Sequence, residues 1–123
     1  MSYKEESLKK YLDDLAARLP APGGGSAAAL TAAMGAALIS MVVNFTLGKP
    51  KYARYEEELG GILEKSEKLR EEFLNLVDLD VTAYKSKDIR SALNVPLMVA
   101  RLCFEGARLC PGLIKKGNIN LIS

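Results

Sequence analysis

Apolar residues recur along this chain at alternating steps of three and four, the period of a helix face, and none of the segments reads convincingly as a strand. Leu8, Leu12, Leu15 and Leu19 form the first stripe. Ser2-x-x-Glu5 opens it as a capping box, and Pro20 closes it, because the residue before a proline resists helical backbone angles. The second segment, Ser26 to Leu47, runs 22 residues without a charge and is small almost all round, with Ala27, Ala28, Ala29, Ala32, Ala33, Gly35, Ala36, Ala37 and Ser40. A helix without a polar face is buried on every side. So short a chain cannot wrap one helix with three others, which predicts an oligomer that supplies the rest. Gly48 and Pro50 mark its end.

The third stripe is the most regular: Tyr52, Tyr55, Leu59, Ile62, Ser66, Leu69, Phe73, Leu76, Asp80 and Ala83, with Glu and Lys at the outer positions. It predicts left-handed bundle packing. Gly60-Gly61 interrupts it and predicts a kink or a close helix crossing. A fourth stripe follows Asp88 as N-cap: Ile89, Leu93, Pro96, Ala100, Cys103, Ala107, Cys110 and Ile114. Pro96 predicts a kink, and Pro111-Gly112 a kink or an end. The expected fold is all-α, a multihelical up-and-down bundle with a buried Ala-rich central helix, in a single domain over residues 1–123.

Composition narrows the function more by exclusion than by assertion. A net charge of +2 with no basic cluster argues against nucleic acid. The charge-free run is long enough to cross a bilayer. Its alanine content, its Ser26, Thr31, Ser40 and Asn44, and the absence of an aromatic belt favour a buried helix over a membrane span. No histidine is present, which removes the commonest general base and zinc ligand. Cys103 and Cys110 on one helix would sit roughly 10 Å apart, beyond disulfide reach. They read as buried small apolar residues of a cytoplasmic protein, with no metal implied.

Three features carry candidate chemistry. Gly23-Gly24-Gly25-Ser26 opens a helix, where successive N–H groups and the helix dipole favour an anion or an electron-rich oxygen. The same glycines also suit a turn chosen for close helix packing. Asp80 occupies a stripe position that calls for an apolar residue, so it is paired, hydrogen-bonded or raised in pKa. A raised pKa suits general acid–base work, and the alternative is a structural carboxylate bonded to a neighbouring helix or meeting solvent. Asp78 lies off the stripe and reads as solvated. Lys49 and Tyr52 flank the turn after the buried helix, where the lysine either holds an anionic ligand or complements the helix C-terminus. Asn118 and Asn120, beside Gly117, can read the edge of a heterocycle.

The order of these motifs resembles one family. Leu19-Pro20-Ala21-Pro22-Gly23-Gly24-Gly25-Ser26, Gly35-Ala36-Ala37-Leu38, Met41-Val42, and Thr46-Leu47-Gly48-Lys49 with Tyr52 are similar to the opening of the formimidoyltetrahydrofolate cyclodeaminase and methenyltetrahydrofolate cyclohydrolase domain. Asp80-x-x-Ala83-Tyr84, Val95-Pro96-Leu97 and Gly117-Asn118-Ile119-Asn120-x-x-Ser123 follow in the same order. The resemblance implies a cytoplasmic, all-helical domain that forms a homodimer or higher homo-oligomer and acts on a reduced folate without a metal or redox cofactor. It aligns Asp80 with the family's acidic residue proposed for proton transfer. It leaves Gly23, Gly24, Gly25, Ser26, Lys49, Tyr52, Asn118 and Asn120 to hold the substrate. Two departures stand out. Only 11 residues separate Tyr84 from Pro96, where the family carries a longer stretch, and the family continues beyond the Gly-Asn-x-Asn-x-x-Ser motif. Both lead to the expectation of a shortened, C-terminally incomplete member.

Overall fold

Small side chains set the architecture. In a computed structural model, which describes residues 2–86 and 89–116 and over 80–95 and 114–116 the backbone alone, the alanine-rich segment forms a 23-residue helix. The elements run in the order α1 (Leu8–Ala16), α2 (Gly24–Thr46), α3 (Glu56–Ser86), α4 (Ile89–Ala107) and α5 (Cys110–Lys116). Short 3-10 turns at Tyr3–Glu5 and Pro50–Tyr55 precede α1 and α3. No strand occurs among the described residues, so the all-α expectation holds.

The principal contact is between α2 and α3, which run antiparallel. On α2 the buried positions are Ser26, Ala29, Ala33, Ala36, Ser40, Val43 and Thr46. On α3 they are Leu59, Ser66, Leu69, Phe73, Leu76 and Val77, much as the stripe predicted. Alanines facing Leu69, Phe73 and Leu76 let the two backbones come close while the larger residues fill the seam. Val99 and Leu102 of α4 complete this cluster, and Val43, Leu59 and Leu113 form a second one toward the other end of the bundle.

Several expectations are corrected. Ser2 makes no side-chain cap; its hydroxyl goes to Asp78, and Ser7 caps α1 by accepting from the Lys10 amide. Of the first stripe, Leu8, Leu12 and Leu19 are exposed and Leu15 is half-buried, while Tyr11, off that stripe, is the buried residue of α1, which ends at Ala16. The central helix is buried along one face, and Met34, Leu38, Met41 and Phe45 on the opposite face are exposed within one chain, in keeping with the expectation that a single chain cannot wrap it. Gly60-Gly61 neither breaks α3 nor sits at a close crossing, since a Cβ at either would meet open space. The close approaches fall at Gly106, where a Cβ would stand 3.6 Å from Leu69, and at Gly112, 3.3 Å from Ile62.

Among the described side chains of α4 the buried positions are Val99, Leu102 and Gly106, one residue out of phase with the expected stripe. The larger side chains of Val99 and Leu102 win the core over Ala100 and Cys103. The helix passes through Pro96 and breaks at Arg108–Leu109, so that Pro111 falls in the first turn of α5, where its missing N–H is harmless. Cys103 is exposed and Cys110 half-buried. Both line a groove of about 370 Å³ between α2, α3 and α4 rather than the core.

Candidate functional site

The glycine loop is the best-defined candidate. Gly23 caps α2 with ordinary extended angles, and helix begins at Gly24, two residues earlier than expected. A Cβ at Gly23 or Gly24 would meet nothing within 4 Å. Neither backbone strain nor packing within the chain therefore calls for glycine at these two positions. These two glycines lead into the first turn of a long helix, the part of a helix that favours negative charge.

Ser26 behind the loop is sealed. It is fully buried, its hydroxyl lies 2.7 Å from the Tyr11 hydroxyl, and it donates to the Val77 carbonyl at 2.9 Å. That last bond reaches from α2 to α3, one turn before Asp80. It puts the Asp80 turn and the glycine loop at the same end of the bundle. The Asp80 side chain lies outside the described part of the structure, as do Asn118 and Asn120 altogether.

Asp78 is not merely solvated. It is half-buried and accepts from the Ser2 hydroxyl at 2.8 Å, the Tyr3 amide at 2.6 Å and the Lys4 amide at 3.3 Å. Beside this clamp the Tyr3 hydroxyl donates to Asp14 at 2.7 Å. That bond, with burial and the nearby negative charge, pushes the Tyr3 pKa up to about 12. It also holds the Asp14 carboxyl below its usual range, helped by Lys10. The Tyr3 ring meets Tyr11 edge-on, with centroids 5.4 Å apart. Residues 2–4, Tyr11, Ser26 and α3 thus form one continuous polar and aromatic seam. Sequence reasoning missed it; the one signal was a tyrosine, Tyr11, among the leucines of α1.

Lys49 and Tyr52 lie at the far end. α2 spans about 34 Å at the rise of an α-helix, so within one chain these residues are not brought to the glycine loop. Gly48 turns the chain with φ of +84°, a conformation that favours glycine. Lys49 is exposed, and Tyr52 is half-buried with the Lys51 ammonium 5.6 Å from its ring centroid. Midway along α2, Ser40 pairs with Ser66 at 2.7 Å and donates to Glu67 at 2.8 Å. The Ser40 bond, reinforced by Arg70, holds the Glu67 carboxyl below its usual range. Among the described residues no three His, Cys, Asp or Glu side chains gather as a metal site would require.

The fold is a helical-bundle domain in which the N-terminus of α2 lies at the same end as the α3 turn that carries Asp80. Comparison with known proteins makes this specific. The family model for formiminotransferase-cyclodeaminase matches residues 7–87. A methenyltetrahydrofolate cyclohydrolase from Methylorubrum extorquens is 40% identical over 141 residues, covering 96% of this chain and 68% of that protein. The formimidoyltransferase-cyclodeaminase of Rattus norvegicus is 35% identical over 145 residues, covering 99% of this chain and 27% of that protein. The crystal structure of a formiminotetrahydrofolate cyclodeaminase from Thermotoga maritima superposes with a TM-score of 0.89 at 32% identity, covering 97% of this chain and 67% of that one. The chain belongs to the formiminotransferase-cyclodeaminase family, as its motifs led us to expect. It spans about two thirds of the cyclohydrolase and of the Thermotoga protein.

Proposed function

We propose that this chain acts in folate one-carbon metabolism, on a reduced folate carrying a one-carbon unit at N5, and that it catalyses cyclodeamination of 5-formimidoyltetrahydrofolate. The observation that carries this reading is the open glycine loop at the same end of the bundle as the Asp80 turn. N10 attacks the formimidoyl carbon, the bond from that carbon to the terminal nitrogen breaks, and ammonia leaves as the 5,10-methenyl ring closes. N10 loses a proton in this step and the departing nitrogen gains one. Asp80 is the residue assigned to carry that proton, and a carboxyl suits the task once its environment lifts its pKa toward neutrality. The glycine-loop N–H groups hold an electron-rich part of the substrate.

A second reading, cyclohydrolase, is favoured by the 40% identity to the Methylorubrum extorquens protein of that name. Water in place of N10 then adds to the methenyl carbon, the bond from that carbon to N5 breaks, and N5 gains a proton as water loses its own, giving 10-formyltetrahydrofolate with the same demand for a proton carrier.

The exposed row of Met34, Leu38, Met41 and Phe45 supports a homodimer built on α2. An antiparallel pairing of two copies of α2 about Gly35, where a Cβ would meet open space, sets the Lys49 turn of one copy beside the glycine loop of the other. In that arrangement Lys49 and Tyr52 serve the partner's site, at the anionic end of the substrate.

Methenyltetrahydrofolate absorbance tests both reactions. With 5-formimidoyltetrahydrofolate the signal rises, and with the methenyl form alone it decays faster than without protein if hydrolysis is the activity. Asp80→Asn lowers the active reaction at least a hundredfold, on the order expected for general acid–base catalysis. No turnover of either substrate sinks the enzyme reading. Turnover unaffected by Asp80→Asn removes Asp80 from it.

A further inference from the structure

Tyr11 and Ser26 sit where aliphatic packing alone would suffice. Tyr11 belongs to the same buried cluster as Ala29, Leu76 and Val77, and Ser26 is fully buried with Tyr11 nearly so. Burying a hydroxyl is unfavourable unless it is bonded, and an alanine or phenylalanine would fill either place without that liability. What a hydroxyl adds is direction. Apolar contact tolerates sliding, whereas a bond of 2.7–2.9 Å sets a separation.

We infer that Tyr11 and Ser26 are positioning residues for the reaction at Asp80, their buried hydroxyl pair setting the distance between the glycine loop and the α3 turn that carries this carboxylate. Ser26 closes the glycine loop on the α2 side and donates to the carbonyl of Val77, three residues before Asp80, at 2.9 Å. Tyr11, on α1, holds the Ser26 hydroxyl at 2.7 Å. The next residue along α3, Asp78, is gripped by Ser2, Tyr3 and Lys4. The turn is therefore fastened on two sides: by residues 2–4 at Asp78, and by α1 and α2 at Val77. The fastening at Val77 reaches the glycine loop directly through Ser26, and so relates the substrate's seat to its proton carrier. A shift of about 1 Å between such groups lowers a rate by roughly a hundredfold without abolishing binding.

This inference rests on the assignment of Asp80 as proton carrier, and its test keeps the two apart. Tyr11→Phe and Ser26→Ala are compared with Ser40→Ala, which breaks a similar buried hydroxyl pair well along α2, away from the loop. In the full chain, Tyr11→Phe and Ser26→Ala lower kcat roughly tenfold to a hundredfold with KM nearly constant. The double variant is no worse than Ser26→Ala, because the two act as one unit. Ser40→Ala leaves kcat unchanged. The Asp80 carboxyl titration, followed by NMR, moves in Tyr11→Phe and Ser26→Ala and stays in place in Ser40→Ala. An unmoved titration overturns the inference whether or not the parent turns over. An active parent whose Tyr11→Phe and Ser26→Ala variants keep full kcat also overturns it, while leaving the folate reading intact. A parent inactive on both folates defeats that reading itself.

Discussion

The two faces of α2 invert the usual rule for a surface helix. Its inner face is small and partly polar, with alanines and Ser26, Ser40 and Thr46 fully or almost fully buried. Its outer face carries the bulk, with Met34, Leu38 and Phe45 each more than half exposed. Ordinary amphipathic design would put the large residues inside. The inner face is small because α3 lies so close, and its hydroxyls are tolerated because each has a partner: Ser26 with Val77, Ser40 with Glu67, Thr46 with the Val42 carbonyl. The outer face leaves its large side chains uncovered within one chain, and the proposed homodimer would cover them. Burial within one chain marks the face that α3 completes, and side-chain size marks the one that only a further surface could complete.

Overfilling the inner face should have the largest effect. Ala29→Leu places three extra carbons where no space exists, and should lower stability by about 3 kcal/mol, a fall in thermal midpoint on the order of 10 °C. Next comes the polar part of that face. Ser40→Ala strips Ser66 and Glu67 of a partner and should lower stability by about 1–2 kcal/mol, read by urea unfolding. The same variant should weaken the pH dependence. The Glu67 carboxyl is lowered in the fold, so its contribution is present above the ordinary carboxylate pKa and fades as pH falls through the folded value. Ser40→Ala should therefore lose less stability on acidification than the parent does. The smallest effect on folding belongs to the outer face. Leu38→Glu should alter chemical stability by less than about 0.5 kcal/mol. If that face meets a second copy, sedimentation should show the variant as a monomer; an unchanged oligomer would place the contact elsewhere.

Much of this was legible in the sequence, and the reasons it was not elsewhere are physical. The α2 and α3 stripes stand out because charge is absent from one and regularly placed on the other. The α4 stripe was read one residue out of phase because Ala100, Cys103 and Ala107 are as apolar as Val99 and Leu102; only volume separates the two rows. Gly23 and Gly24 were ambiguous between packing and binding, and that a Cβ at either would meet nothing within 4 Å is a tertiary fact that no spacing encodes. Lys49 and Tyr52 read naturally with the glycine loop as one site until the length of α2 came between them. Asp78 was misjudged because its partners lie more than seventy residues away, and a heptad register reports only on the helix that carries it.

That last contact has a consequence for mutagenesis. Two of the donors that meet Asp78, those of Tyr3 and Lys4, are peptide N–H groups, which every residue except proline possesses. The clamp thus recognises main chain. A saturation scan would find position 4 permissive to nearly any residue but proline, while position 78 would be exacting. Read from substitution tolerance alone, one half of the contact would be invisible and the other would pass for an active-site residue.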